Sequence, residues 1–527
     1  MTFTYLAAAL IGLTPSSIEA LADRTLVLEV ILNGRATGRV AEFHERNGAL
    51  YARPSDLNGL GLVLSPTLND EPIALSTVAG LRVLIDQPGQ RLIMAAENSA
   101  LQPAEVRNGT ATTLAPLTAS EAGAVLNYDV LATLTDGRVD GGALIDGRVF
   151  GAYGVLQSTG LANFTPNAGQ RGFVRLDTTY TFSEPGKMRR WRAGDVVSGA
   201  LGWSRAVRLG GVQISSDFNL RPDLITYPLP TISSSAAVPS TVNILVDGVR
   251  QFSQQVQSGP FVVRTLPVVT GAGEVAVAVE DAVGRQTLIT LPFYASATLL
   301  TPGLASYSAE LGSIRRDYGL ATDRYSGWAA NGAVRYGLFD QLTVEAHGEA
   351  TEGLALAGIG AAWRVRTLGV VNASVSASTG LGGLDAVAGE ATGGGSASLG
   401  FQRRSRGFNF NLSGSVASDG YRDLAAVSGA PAPHSTLNAS FGRQLGSYGS
   451  LGVAYVSQHA RPAVYGPSLV GVGVDPRRSV RTELVTVGYS VPIAGRVTLR
   501  ASGFRDLRRA DTYGLGLSLS MTFGAST

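Results

Sequence analysis

The feature that most limits how this chain can fold is a repeated alternation of apolar and polar residues along short segments. Near the end of the sequence, large apolar residues alternate with glycine and serine at Tyr513, Leu515, Leu517, Leu519, Met521 and Phe523. Alternation with a period of two is typical of β-strands whose two faces meet different environments. No run of about 18 or more apolar residues follows the N-terminus, so transmembrane helices are excluded. The chain is therefore predicted to be all-β.

The composition favours a membrane barrel. Charged residues make up 16% of the 527 residues, and 66 residues are glycine, whereas soluble proteins carry roughly 25% charged residues. Low charge, abundant glycine and many short alternating segments fit a transmembrane β-barrel. A soluble all-β protein is the alternative at this point, because alternation alone does not tell which face meets solvent.

One stretch, 229–294, differs from the rest of the chain in its pattern of strands and turns. Its strands are short, with residues such as Val242 and Ile244 on one face, and turn signals separate them at spacings of about ten residues. This pattern predicts a small β-sandwich. Longer, glycine-broken strands lie on both sides. We therefore expect a sandwich inserted into a barrel whose two parts are 122–228 and 300–525.

The strand count predicts a medium-sized barrel. About six strands precede the sandwich and twelve follow it, giving roughly eighteen, an even number that places both ends on one side of the membrane. The outward face of one strand is predicted to carry Val174, Leu176, Tyr180 and Phe182. The inward face of the same strand is predicted to carry Arg175, Asp177, Thr179 and Thr181. A second strand places Thr343, Glu345, His347 and Glu349 on one face, as expected for a water-filled lumen.

The N-terminal region is predicted to contain an export signal and a small domain. The apolar run 3–13 and the small-residue site at 20–22 predict a removed signal peptide at 1–22. Residues 23–118 read as a separate small domain, because a strand ending in Asn33-Gly34 opens a series of short elements. Residues 99–120, rich in alanine, threonine and proline, are predicted to be a linker.

Several kinds of chemistry have no support in the sequence. Four histidines, at 44, 347, 434 and 459, have no metal-ligand spacing, and there is no cysteine. Lys187 is the only lysine, which excludes a nucleotide-binding Walker motif, and no basic cluster is interleaved with aromatic residues for nucleic acid. Glu345 and Glu349 lie on one strand face and do not converge on a substrate. We expect no enzyme activity, no catalytic residue, no cofactor, no metal and no nucleic-acid partner.

Part of the sequence resembles a known protein family. The sequence closely resembles fimbrial ushers around Arg190-Trp191 and Gly202-Trp203. The sequence of 218–294 closely resembles the plug region of the same family. Ushers are outer-membrane pores of the chaperone–usher pathway. The resemblance covers most of 25–310 and is strongest over 187–294.

The resemblance implies a function in fimbrium biogenesis. Residues 23–118 would receive periplasmic chaperone–pilin subunit complexes, and pilus subunits would polymerise by β-strand addition and leave through a plug-gated pore in the lipid outer membrane. No ATP is needed in such a cycle. On this reading, inward charges such as Arg175 and Asp177 hold the plug by polar contacts, and their substitution should raise leakage.

The sequence departs from the family in two respects. The family barrel has twenty-four strands, and family members continue into two C-terminal domains, whereas only 524–527 follow the last strand here. A shortened usher is therefore expected. The alternatives are a plugged diffusion porin, a degenerate usher that no longer assembles fibres, and an extracellular β-rich structural protein.

Overall fold

The structure is a computed structural model that describes most of the chain. It describes residues 23–64, 70–106, 121–135, 138–163, 172–263, 270–281, 284–380, 393–461, 480–494, 497–509 and 511–521. The predicted signal peptide 1–22 and Phe523 lie outside these residues. Among the described residues, no helix is both long enough and apolar enough to cross a membrane.

A six-stranded sheet with one short helix comes first. Its elements are β1 (Arg24–Leu32), β2 (Arg35–Arg46), β3 (Ala49–Ala52), α1 (Pro54–Gly59), β4 (Ile73–Ala74), β5 (Leu81–Asp86) and β6 (Arg91–Ala96). The strand order is β4-β3-β2-β1-β6-β5. Asn33 and Gly34 turn the chain between β1 and β2 with φ of 50° and 82°, the left-handed backbone that this tight turn requires. Val30, Phe43 and Leu57 are fully buried in the core of this sheet.

A three-residue strand and six long strands follow. They are β7 (Ala104–Val106), β8 (Gly123–Thr135), β9 (Arg138–Gly151), β10 (Gly154–Asn163), β11 (Gly172–Glu184), β12 (Arg189–Val197) and β13 (Arg208–Ser216). Strands β8 to β13 pair in sequence order and antiparallel. They form the first part of the barrel wall.

The sandwich is inserted between β13 and the next wall strand. Its strands are β14 (Ile232–Ala236), β15 (Ser240–Val246), β16 (Val249–Val256), β17 (Gly259–Val263), β18 (Gly271–Asp281) and β19 (Gln286–Ala295). One sheet has the order β16-β15-β18-β19, and the other has the order β14-β17-β7. Val242 and Ile244 are fully buried between them, and so is Val106 of β7. The sandwich core is therefore completed by a strand from far earlier in the chain.

Twelve more strands complete the barrel. They are β20 (Ala305–Arg315), β21 (Tyr325–Phe339), β22 (Leu342–Thr351), β23 (Leu354–Val365), β24 (Gly369–Thr379), β25 (Gly393–Arg404), β26 (Phe408–Ala417), β27 (Ser435–Gln444), β28 (Ser450–Ala460), β29 (Val480–Ala494), β30 (Val497–Asp506) and β31 (Tyr513–Met521). In the described chain, eighteen strands close one barrel, with β8 and β31 as neighbours. The prediction of an all-β chain with a barrel of roughly eighteen strands and an inserted sandwich is confirmed.

The two edges of the barrel differ in the length of their connections. We call the edge that carries the sandwich the proximal edge and the other the distal edge. Apart from the segment that carries the sandwich, the described connections at the proximal edge are short, and 445–449 is the longest of them, whereas the distal connections 198–207 and 418–434 are much longer. Outer-membrane barrels have short periplasmic turns and long extracellular loops. The proximal edge is therefore the periplasmic side.

Apolar residues cover the outside of the wall. In β31, Leu515, Leu517 and Leu519 are strongly exposed, and the glycines and serines between them face the lumen. In β11, Tyr180 and Phe182 are exposed as predicted, but the prediction for Val174 and Leu176 is wrong. The pairing of β10 with β11 shifts at Leu176, so that an extra residue reverses the alternation near the distal edge.

Candidate functional site

The connection 198–207 between β12 and β13 folds into the barrel, and we call it the first inner loop. Its ends are joined by two hydrogen bonds, from the Ser198 N–H to the Val207 carbonyl at 2.9 Å and from the Val207 N–H to the Ser198 hydroxyl at 3.0 Å. Further along, the Leu201 N–H donates to Ser204 Oγ at 2.8 Å. The loop therefore takes its shape largely from hydrogen bonds within itself.

Trp203 extends from the first inner loop to the wall formed by β22 and β23. Its indole Nε1 donates to Glu345 Oε2 at 2.9 Å, and its ring lies edge-on to His347, with ring centroids 5.8 Å apart. Beneath the indole lie Gly358 and Gly360, where an added Cβ atom would come within 2.7 Å and 2.6 Å of the ring. Glycine at these positions gives the indole its place.

The connection 418–434 between β26 and β27 also folds inward, and we call it the second inner loop. It contains a short helix, α2 (Leu424–Val427). Asp423 Oδ1 accepts a hydrogen bond from the Ala426 N–H at 2.8 Å and so caps this helix. Glu349 Oε2 of β22 accepts the Leu424 N–H at 2.6 Å. Because β22 lies several strands away from β26, the loop must reach across the barrel interior.

Apolar packing holds α2 against the wall that also carries the first inner loop. Leu424 and Ala425 pack with Val196, Leu209 and Ile314, and none of the five is more than 6% exposed. Burial of a leucine side chain stabilises a structure by about 2 kcal/mol. The position of α2 is therefore set by packing as well as by hydrogen bonds.

The two inner loops meet at an ion pair. Arg205 Nε donates to Asp423 Oδ2 at 2.7 Å, and a second nitrogen of the same guanidinium donates to Oδ1. Arg205 also donates to the Ala430 carbonyl at 2.7 Å. The Asp423 side chain is 5% exposed, so loss of either partner would leave a charge without its counterion. This pair fixes one loop to the other inside the barrel.

The predicted polar face of β22 is present but lies under these loops. Thr343, Glu345, His347 and Glu349 share one face, as the alternation predicts. His347 Nε2 lies 2.9 Å from Glu349 Oε1, and both side chains are at most 1% exposed. Thr343 is also fully buried. The expectation that this face lines a water-filled lumen is therefore wrong, because the inner loops and the residues after the sandwich cover it.

A second polar cluster lies near the distal edge. Arg315 is fully buried and contacts Asp195 at 2.7 Å. Asp177 accepts hydrogen bonds from the Tyr318 hydroxyl at 2.8 Å and from Arg208 at 3.1 Å. The Arg208 guanidinium also lies over the Tyr318 ring, 3.6 Å from its centroid. These contacts attach the connection after β20 to the wall.

This cluster changes the interpretation of two predicted residues. Arg175 pairs with Asp195 and donates to the Thr322 carbonyl at 3.0 Å and to Tyr325 at 2.8 Å. Like Asp177, it therefore contacts the wall and a distal connection. The hypothesis that Arg175 and Asp177 hold the sandwich by polar contacts is wrong, because wall residues already satisfy their charges.

The contacts between sandwich and barrel lie at the proximal edge. The Tyr294 hydroxyl accepts the Arg404 N–H at 3.2 Å, and the Tyr294 carbonyl accepts a hydrogen bond from Arg364 at 3.0 Å. Arg404 also donates to the Thr270 hydroxyl at 3.2 Å. All three contacts use the proximal ends of β23 and β25. Within the described residues, the inner loops lie in the lumen against β12, β13, β20, β22 and β23, and the sandwich sits at the proximal mouth.

The contacts of this site are of a kind that can break and re-form. Hydrogen bonds, one ion pair and a small apolar cluster hold the inner loops, and no covalent link does, since the chain has no cysteine. A search of the described residues finds no group of three or more acidic, histidine or cysteine side chains placed to hold a metal. The arrangement is suited to opening and closing a passage. Fold and site together define the class as a barrel with two loops folded into its lumen and an inserted sandwich at its periplasmic mouth.

Comparison with known proteins gives the family. The family model for outer membrane usher protein matches residues 203–458, a range that includes the sandwich and both Arg205 and Asp423. Over this range, just under half of its length, the chain is similar to the outer membrane usher family. The resemblance to ushers and the outer-membrane localisation expected from the sequence are confirmed. The alternative of an extracellular β-rich structural protein is thereby excluded.

Individual relatives match only part of their length. The F1 capsule-anchoring protein of Yersinia pestis is 27% identical over 171 residues, which cover 32% of this chain and 20% of that protein. The outer membrane usher protein PefC of Salmonella typhimurium is 32% identical over 163 residues, covering 29% and 20%. The chain thus spans about a fifth of the length of these curated relatives.

A solved structure shares the fold. It is the cryo-EM structure of the E. coli P pilus tip assembly intermediate PapC-PapD-PapK-PapG. The match has a TM-score of 0.52 at 17% identity and covers 95% of this chain and 64% of the other. At this identity the likeness concerns the fold alone.

The sequence did not predict that most of the residues of this site lie together. Trp203 and Arg205 belong to a stretch that the family resemblance already singled out, but no sequence pattern linked Asp423 to them. Arg205 and Asp423 are 218 positions apart. Only the closure of the barrel brings them together.

Proposed function

We propose that the chain is an outer-membrane usher that receives chaperone–subunit complexes, promotes ordered polymerisation of fimbrial subunits and secretes the fibre through its gated barrel. The observation that carries the proposal is the sandwich inserted between the sixth and seventh barrel strands and seated at the proximal mouth. The family match over the same region supports it. We propose further that the work is mechanical, with no catalytic residue and no cofactor.

The domain assignments belong to this proposal. Residues 23–118 act as the recruitment domain, 122–228 and 300–525 as the barrel, and 229–294 as the plug. The first of these has its own apolar core, centred on residues such as Phe43 and Leu92. A separate core suits a domain that moves and binds as a unit.

An exposed apolar face on the N-terminal sheet is the surface we assign to recruitment. Val27, Val40 and Leu84 are 62%, 65% and 65% exposed. They lie on β1, β2 and β5, away from the core face of the same sheet. Apolar side chains that remain exposed on a folded sheet commonly mark a protein-binding surface.

Capture of a chaperone–pilin subunit complex by the full chain tests the proposal. The detergent-purified protein should retain a chaperone–subunit complex from the same organism and should not retain the chaperone alone. Val40→Asp should weaken this capture by roughly tenfold or more, because it places a charge in the centre of the contact. Val63→Asp, at an exposed residue away from this face, is the matched control. Equal capture by both variants would contradict the assignment of this face to recruitment. No capture by the parent chain would contradict the proposed function.

A second candidate is a plugged diffusion porin or a usher that no longer assembles fibres. One observation favours it. A cavity of about 830 Å³ lies beside the wall from β26 to β31, lined mostly by small residues such as Ser440, Gly442 and Gly488. Among the described residues, this side of the lumen is open to small solutes. Steady channel conductance by the parent chain together with no capture of subunits would favour the porin.

A further inference from the structure

One sector of the barrel carries arginine without any acidic residue. Between Leu354 and Arg461, outside the second inner loop, the described residues include no aspartate and no glutamate. The arginines of this sector are Arg364, Arg366, Arg403, Arg404, Arg406 and Arg443 at the proximal edge, and Arg461 at the distal edge. Positive charge is therefore concentrated at the periplasmic end of β23 to β27. Two of these residues, Arg364 and Arg404, contact the sandwich.

The other four arginines at the proximal edge form what we call the basic girdle: Arg366, Arg403, Arg406 and Arg443. Strand register places Arg443 on the outward face, next to Phe408 and on the same side as the exposed Phe441. The Phe408 and Phe441 rings stack at 6.3 Å. The Arg403 guanidinium lies 5.5 Å from the Phe408 ring centroid. The girdle therefore belongs to an aromatic belt on the outside of the barrel.

The charges of the girdle have no counterion in the described protein. Arg403 donates only to backbone carbonyls, those of Thr367 and Leu368. Arg366, Arg406 and Arg443 are exposed, and none of them has an ion pair or a side-chain hydrogen bond among the described residues.

Elsewhere at the proximal edge, the charges are balanced. Arg189 lies 2.7 Å from Glu184, and Arg190 pairs with Asp217. The absence of acidic partners is therefore a property of one sector of the edge.

We propose that the basic girdle binds the headgroup of an anionic phospholipid in the periplasmic leaflet of the outer membrane. Aromatic belts mark the level of the lipid headgroups, and the girdle lies at that level. A guanidinium binds phosphate oxygens through two parallel hydrogen bonds. Leu368, 58% exposed beside Arg366, would contact the acyl chains. An acidic protein is disfavoured, because such a partner would have to displace lipid from an aromatic and apolar surface.

The test measures lipid preference of the full chain in vesicles. The protein is reconstituted into phosphatidylcholine with a trace of spin-labelled phosphatidylglycerol or spin-labelled phosphatidylcholine, and the motionally restricted fraction of label is compared. We expect phosphatidylglycerol to be preferred by about fivefold for each arginine that contacts its headgroup. The preference should fall at high salt, because exposed charges are screened.

Matched variants locate the preference. Arg406→Gln with Arg443→Gln should lower the preference by about fivefold for each of the two arginines removed. Arg505→Gln with Arg509→Gln removes the same charge from exposed arginines near the distal edge and should leave it unchanged. A heat-modifiable gel shift shows whether each variant forms a folded barrel.

Three outcomes would overturn the proposal. One is an equal preference for both lipids in the parent chain. Another is an equal loss of preference in both double variants, which would show a general effect of net charge. The third is cross-linking between copies of the chain through this sector without any lipid preference, which would make a second copy the occupant.

Discussion

At the scale of single residues, Arg205 and Asp423 join the two inner loops inside the barrel. Each belongs to a different inner loop, and the paired side chains are 31% and 5% exposed. Removing one partner of a largely buried pair costs about 3 kcal/mol or more, because the other charge stays behind without a counterion. An exposed pair, by contrast, contributes little.

We expect Arg205→Gln to open the lumen. The variant should raise the conductance of single barrels in planar bilayers and the uptake of small dyes by cells. Asp423→Asn should do the same, and the double variant should show less than the sum of the two effects, because both changes remove one interaction. Arg324→Gln breaks the exposed Arg324–Asp317 pair in another distal connection and is the control. Conductance that rises equally in this control would count against the pair as the closing contact.

The glycines beneath Trp203 give a second prediction at this scale. Gly360→Ala would place a methyl group 2.6 Å from the indole nitrogen and should displace the ring from Glu345. We expect a red shift of tryptophan fluorescence and greater leakage through the barrel. Gly348→Ala is the control, because its Cβ would meet nothing closer than 3.7 Å. If Gly360→Ala leaves both readouts unchanged, the position of Trp203 does not control the passage.

At the scale of single elements, helix α1 is fixed by a residue distant in sequence. Arg53 precedes the helix and makes no side-chain cap. Instead, Asp70 accepts the Ser55 N–H at 2.9 Å and the Ser55 hydroxyl at 3.0 Å. These hydrogen bonds lower the pKa of Asp70 below its usual 3.8, and the hydrogen bond from the Ser55 backbone N–H has the larger effect.

The pKa of Asp70 should report this cap. Because the folded pKa is lowered, the carboxylate stabilises the helix at pH above 3.8, and this contribution is lost as pH falls through the folded value. In NMR titrations, Asp70 should titrate below 3.8, and Ser55→Ala should move the midpoint upward by removing one of the two donors. An unshifted midpoint in the parent chain would show that the cap does not form in solution.

Elements also show where sequence reasoning succeeds and where it stops. The pattern at Val242 and Ile244 predicts the buried face of β15 correctly, because strand alternation is local. Leu176 was misplaced, because the bulge in β11 depends on its pairing with β10. Glu349 could not be recognised as a partner of α2, because only the tertiary fold brings it to the helix N-terminus, whereas the cap residue Asp423 is next to the helix in the sequence.

At the scale of the whole molecule, barrel, sandwich and N-terminal sheet are predictable from strand pattern and family resemblance, whereas their contacts are not. Composition and alternation predict eighteen outward apolar strands, and the strand count is confirmed. The occupation of the lumen by inner loops depends on side chains that meet only after closure. So does the attachment of β7 to the sandwich.

The pairing of β7 with β17 gives a prediction at this scale. Val106 is fully buried in the sandwich core, although it belongs to the segment after the N-terminal sheet. Val106→Ala should weaken this attachment by about 2 kcal/mol. Hydrogen exchange should become faster in β17 and stay unchanged in β1, which belongs to a different sheet. Faster exchange in both strands would indicate general destabilisation and would contradict a local role.

The three residues of β7 also make the N-terminal sheet and the sandwich thermodynamic partners. Any ligand that prefers the N-terminal sheet detached from the sandwich must spend part of its binding free energy on removing Val106 from the core. By reciprocity, once β7 has left the sandwich, the N-terminal sheet binds that ligand more tightly by the same factor. Ligand binding to the N-terminal sheet and release of β7 from the sandwich are thus linked in one equilibrium, so a measurement of either event reports on the other.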